Sequence, residues 1–143
     1  MDDEYNLQRF VLAQEPVYDD ALDILRRGMM CTPYMDFIFP CLAMGQAAES
    51  VRPYAITSLD EASAYLSSPI LGGRYRQCVS TLQRLHDKNV YTVFGGEDSK
   101  KLHASLTLFS EAGSQEFLLE TMFDVWFDGL MDEETMVRIR LMF

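Results

Sequence analysis

The chain is 143 residues long, 48% hydrophobic and 24% charged, the balance of a globular domain spanning 1–143. Such a domain buries roughly two-thirds of the surface its unfolded chain exposes. Its formal charge of −10 speaks against nucleic acid and anionic membrane as partners, because both are held by dense Lys and Arg fields.

The N-terminus, Met1-Asp2-Asp3-Glu4, lacks the basic and apolar regions of a signal peptide. No apolar run reaches the roughly 18 residues that spanning a bilayer requires. Cys31, Cys41 and Cys78 are odd in number and lack metal-ligand spacing, so they read as reduced thiols in a cytoplasmic protein.

In chain order, Leu7, Phe10 and Val11 mark one face of an opening helix that stops or kinks before Pro16. A second helix follows with Tyr18, Ala21, Leu22 and Leu25 at helical spacing. Gly28, after Arg26-Arg27, is its expected C-terminal stop. Met35-Asp36-Phe37-Ile38-Phe39, closed by Pro40, fits a short helix or a buried extended segment. Residues 45–53 read as a loop.

Ser58 and Glu61 fit a capping box ahead of Ala62, Tyr65 and Leu66. Ser68-Pro69 then starts a helix with Leu71, Tyr75, Cys78, Leu82 and Leu85 on one stripe, ending near Asn89. Gly72-Gly73 near its beginning permit close packing. Val90-Tyr91-Thr92-Val93-Phe94 is the best strand candidate. Lacking a pairing partner, it reads as a buried extended link or an irregular helical turn. Asp98 or Ser99 is expected to cap a helix carrying Leu102, Leu106 and Phe109 and ending at Gly113. Ser114 is expected to cap one with Phe117, Leu118, Thr121, Met122 and Val125 inward, ending at Gly129. Asp132 caps the last, with Met136, Ile139 and Phe143 packed. The sum is a mainly α, compact single domain of six to eight short helices with at most a minor extended segment.

The ordered set Arg9-Phe10, Ala13-Gln14, Tyr18, Ala21-Leu22, Leu25-Arg26, Gly28, Phe37-Ile38-Phe39-Pro40 and Tyr54-Ala55-Ile56 opens a pattern. It continues with Glu61-Ala62, Tyr65-Leu66, Pro69, Leu71-Gly72, Arg74, Phe94-Gly95, Asp98, Lys101-Leu102 and Thr107-Leu108-Phe109. Over residues 7–135 this resembles the bacterial domain of unknown function 1810, whose members are sometimes labelled calpastatin. The resemblance implies a small helical cytosolic domain with no established reaction. The label implies a protease inhibitor, which would be expected to present extended repeats, whereas this chain reads as compact. Around Phe-Ile-Phe-Pro, typical members are richer in basic, His and Trp residues and carry Gln after the proline. This sequence has Met29, Met30, Pro33, Tyr34, Asp36 and Cys41 there. If those polar groups form a ligand site in relatives, it is altered here.

The residues that carry candidate chemistry are Arg74, Lys101, His103, Asp98 and Tyr34. Arg74 and Lys101, with His103 and Asp98 nearby, would bind a phosphate or carboxylate, Arg being suited to bidentate recognition. Against this, Arg74 pairs structurally with a carboxylate such as Glu61 and Lys101 is solvated. His86 and His103 belong to the residue type best suited to acid–base work, yet no triad follows from their spacing. Two histidines without a carboxylate motif argue against a metal site, and no cofactor motif is present. Asp124, Asp128, Asp132, Glu133 and Glu134 lack the alternation of a calcium loop and read as caps and solvated surface. Tyr34, Phe37, Phe39, Tyr54 and Tyr65 would line a planar pocket or fill the core, with Tyr34 and Tyr54 the least buried.

Three functions are compatible with this pattern. The first is binding of a small anionic ligand near Arg74 and Lys101. The second is homodimerisation through Met29 to Met44. The third is an enzyme using His103 or Tyr34 on a nucleotide-like substrate.

Overall fold

A computed structural model describes residues 3–43, 53–113 and 116–141. Within them lie eight helices: α1 (Gln8–Gln14), α2 (Tyr18–Arg26), α3 (Thr32–Ile38), α4 (Leu59–Ser67), α5 (Pro69–Gln83), α6 (Val90–Ala112), α7 (Phe117–Trp126) and α8 (Glu133–Leu141). The extended content of the described residues is a single parallel bridge between Leu42 and Ile56. No helix among them is long and apolar enough to cross a membrane.

Local chemistry sets the boundaries. Arg27 ends α2 and Gly28 follows at φ +79°, where glycine pays no Cβ penalty. Gly28 N–H bonds Leu25 O and Met29 N–H bonds Ile24 O, closing the last turn as a Schellman motif. Ser58 Oγ accepts from Glu61 N–H at 3.0 Å. The Glu61 carboxylate reaches one residue further back than a standard capping box, to Thr57 N–H at 2.9 Å. Ser68 ends α4 in extended geometry and caps α5, accepting from Leu71 N–H with Pro69 in the first turn. Asp132 caps α8 through Thr135 N–H at 3.1 Å.

The Met35–Phe39 cluster resolves as α3, and Val90–Phe94 as the first turn of α6, whose N-cap is Asn89 accepting from Tyr91 N–H at 2.7 Å. Val90, Val93 and Phe94 are buried helical residues, which corrects the extended reading. A helix satisfies its backbone groups internally and needs no partner strand. Asp98 and Ser99 are correspondingly interior to α6, past a non-helical break at Gly95, and cap nothing. α5 ends at Gln83, before Asn89. In α7 the buried stripe is Leu119, Met122 and Phe123, while Phe117 is 82% exposed, so the inward face lies one to two positions from the expected one. The Ser114 cap, the Phe143 contact and most of the 45–53 loop fall outside the described residues.

α4 packs on both α5 and α6, and its Tyr65 sits at the centre. That ring meets Phe10 edge-on at 5.1 Å and Phe109 at 5.1 Å, and Tyr75 meets Phe109 at 4.5 Å. Burial of these four aromatic side chains, each fully enclosed, contributes a large share of the hydrophobic stabilisation. Buried Gln14 ties the elements together, donating to Phe37 O at 2.8 Å and to the Tyr65 hydroxyl at 3.0 Å.

α3 crosses α6 with two polar rungs. Thr32 Oγ1 donates to Asp98 Oδ2 at 2.8 Å, and Lys101 Nζ lies 3.5 Å from Asp36 Oδ1. Residue number rises along both helices from the first rung to the second, so the two run parallel.

Candidate functional site

A cleft of about 410 Å³ opens where α3, α6 and α8 meet the Leu42–Ile56 bridge. Its apolar wall is Met35, Phe39, Leu42 and Tyr54, and its charged rim includes Asp36 and Lys101. Such a volume lies at the small end of ligand sites, which run roughly 300–1,000 Å³.

Each helix supplies its part through phase. Glu97, Lys100, Lys101 and Ala104 follow the i, i+3, i+4, i+7 spacing of one helix face, and all four line the cleft. Asp36 comes from α3, and Asp132 and Glu134 from the cap and first turn of α8. The Tyr54 wall is held by Arg9. Its Nε donates to Pro53 O at 2.7 Å and its Nη2 to Ala55 O at 3.0 Å, fixing the backbone on either side of Tyr54. The same Nη2 pairs with buried Glu61 at 2.7 Å.

Of the candidate residues, Lys101 alone lines the cleft. Its side chain is 30% exposed, and the 3.5 Å pair to Asp36 is long. A lysine carries three donors, so capacity for a further partner remains. Arg74 lies elsewhere: Nη2 pairs with Glu15 at 2.8 Å, Nη1 bonds Gln14 Oε1 at 3.3 Å, and the guanidinium stacks over Tyr18. Its carboxylate is therefore Glu15, because Arg9 occupies Glu61. His103 is two residues beyond Lys101, about 200° around the helix. Its Nε2–H donates to Leu130 O at 2.7 Å, and the ring stacks on Phe127 at 4.0 Å. Asp98 is 3% exposed beneath Thr32, with Oδ1 unpartnered among the described residues. Tyr34 is half-buried against Phe37. The expected convergence of Arg74, Lys101 and His103 is thus replaced by three separate environments.

Cys41 is the thiol of the cleft, and burial pushes that thiol up to about 12, with the Lys101 charge opposing only in part. Neutral thiols are poor nucleophiles. Its Sγ–H is directed at Lys101 O at 3.3 Å. Among the described residues no group of three or more His, Cys, Asp or Glu is arranged to hold a metal ion. Glu97, Lys100 and Thr135 escape a motif-by-motif reading of the sequence, and Asp132 and Glu134 read there only as caps and solvated surface. The signal for the first two was present in the helical spacing around Lys101.

The model of a protein family of unknown function, DUF1810, matches residues 4–139. The chain belongs to this family. A crystal structure of the conserved hypothetical protein Rv1873 from Mycobacterium tuberculosis has a DUF1810-like likeness throughout: it superposes with a TM-score of 0.93 at 32% sequence identity. The match covers 96% of this chain and 99% of that one. No curated protein matches the chain.

Proposed function

We propose that this DUF1810 domain binds a small molecule in the α3–α6–α8 cleft, with the Lys101 ammonium as anchor for an acidic group on the ligand. The observation that supports this reading is the placement of a part-exposed lysine with a loosely paired ammonium beside an apolar wall in a cavity of ligand size. Charged anchors beside apolar walls are the usual composition of small-molecule sites. Arg74 has no part in it, since its guanidinium is engaged by Glu15, Gln14 and Tyr18. Catalysis by His103 has no support from the cleft's lining. Homodimerisation through Met29 to Met44 loses much of its apolar motive, because Met35, Ile38 and Phe39 are spent in the core.

A fragment screen of small carboxylic acids by ligand-observed NMR tests the reading. Hits should be lost, at least tenfold in affinity, in Lys101→Met, and retained in Arg74→Ala. Hits indifferent to Lys101→Met refute the assignment.

A further inference from the structure

Resting on the cleft as a ligand site, we infer that its ligand is a zwitterion of amino-acid size: an acidic group towards Lys101, an ammonium towards the α8 wall, and an apolar side chain against Tyr54. The charges of the cleft are segregated by element. α6 contributes Glu97 with Lys100 and Lys101, so that wall carries a net positive charge. α3 contributes Asp36, already beside Lys101. α8 contributes Asp132 and Glu134 and no cation. Asp132 spends Oδ2 on Thr135 N–H and Oγ1, while Glu134 is exposed and bonds no group among the described residues.

A simple anion drawn to Lys101 would meet four carboxylates in the same cavity, against two lysines. Excess like charge lining one part-shielded cavity opposes the binding of a simple anion. The positive end of the α8 dipole would otherwise favour an anion. That end is already answered by its own cap and first-turn acids, Asp132, Glu133 and Glu134. A ligand bearing both signs satisfies both walls. Its apolar part would lie against the aromatic face of Tyr54, over a floor closed by the buried Met35, Phe39 and Leu42.

Three probes that share a phenylethyl body and differ in their charged groups separate the alternatives: L-phenylalanine, 3-phenylpropanoate and 2-phenylethylamine, titrated calorimetrically into the full chain. The zwitterion should bind at least tenfold more tightly than either single-charge probe. Glu134→Gln should weaken phenylalanine about threefold to tenfold while leaving 3-phenylpropanoate unchanged or tighter, a crossover that general loosening of the fold would not produce. Thermal midpoints of both proteins confirm folding, and Lys101→Arg, which keeps the charge, should retain phenylalanine binding if Lys101→Met fails to fold. Equal affinity for phenylalanine and 3-phenylpropanoate overturns the zwitterion while leaving Lys101 as anchor. Equal affinity for the amine, unaffected by Lys101→Met, overturns the anchor as well. Absence of binding by all three overturns the zwitterion, and the acid-fragment screen then decides the cleft itself.

Discussion

Gly72 and Gly73 are adjacent in the first turns of α5, and replacing each with alanine should change stability in opposite directions. A Cβ on Gly72 would stand 2.1 Å from Leu66 O and 2.8 Å from Arg76 Nη1, whereas a Cβ on Gly73 meets nothing within 4 Å. Backbone cannot yield as a side-chain tip does, so Gly72→Ala must part α5 from the end of α4 by more than an ångström at that point. It would also disturb the Arg76 bond to Leu66 O at 3.1 Å and the Arg76–Glu116 pair at 2.8 Å. Overpacking of this kind costs about 1–3 kcal/mol or more, and the helix-propensity gain of alanine returns about 1 kcal/mol. The 2.1 Å approach to a backbone atom places the cost at the upper end, so a net loss of about 2 kcal/mol is expected. Gly73→Ala keeps only the gain, about 0.5–1 kcal/mol. At roughly 3–5 °C per kcal/mol for a chain of this length, the two variants should separate by about 5–15 °C in thermal midpoint. Urea unfolding followed by circular dichroism gives the same difference at constant temperature. Equal midpoints for the two variants would refute the close approach of α4 and α5 at this glycine.

Two further outcomes follow from buried groups. Arg9→Ala strands Glu61, whose side chain is 4% exposed, and releases the carbonyls of Pro53 and Ala55, so a loss of about 2–4 kcal/mol in urea unfolding is expected. Arg74→Ala breaks a pair with a Glu15 that is 59% exposed, but also frees the buried Gln14 Oε1 and uncovers Tyr18, so a smaller loss of about 1–2 kcal/mol is expected, and the reverse order would contradict the assignment of partners. Burial raises the thiols of Cys41 and Cys78 to about 12, so the folded chain holds them neutral while the unfolded chain ionises near pH 9. Stability from this source is fully present below pH 8 and lost as pH rises from about 9 towards 12, on the order of 1 kcal/mol per thiol at pH 10. Urea midpoints at pH 7.5 and 10 should fall accordingly, less so in Cys78→Ala, and a midpoint unchanged to pH 11 would contradict their enclosure.

The parts of the fold that were legible in the sequence are those set by neighbours in the chain. The stops at Gly28 and Gly113 and the caps at Ser58, Ser68 and Asp132 depend on hydrogen bonds spanning three to five residues. The α5 stripe from Leu71 to Leu82 is wholly buried, as its 3.6-residue period requires. Illegible features depended on distant context. Val90–Phe94 has strand-like composition, but Asn89 caps a helix there and the core accepts Val90, Val93 and Phe94 from it. Tertiary packing overrides the β preference of such residues. Gly72-Gly73 looked like a single packing device, yet only Gly72 faces a backbone atom at close range.

The candidate site escaped for a geometric reason. Proximity in sequence suggested that Lys101 and His103 act together, but two residues along a helix point a side chain to the far side, and His103 accordingly meets Phe127 rather than Asp36. Asp98, three residues before Lys101, does share its side of α6, and it is spent on Thr32 one rung along α3. The cleft therefore depends on the register of α3 against α6. The Thr32–Asp98 rung sets the level at which Asp36 meets Lys101, and Asp36 sets how much of the ammonium's charge reaches the cavity.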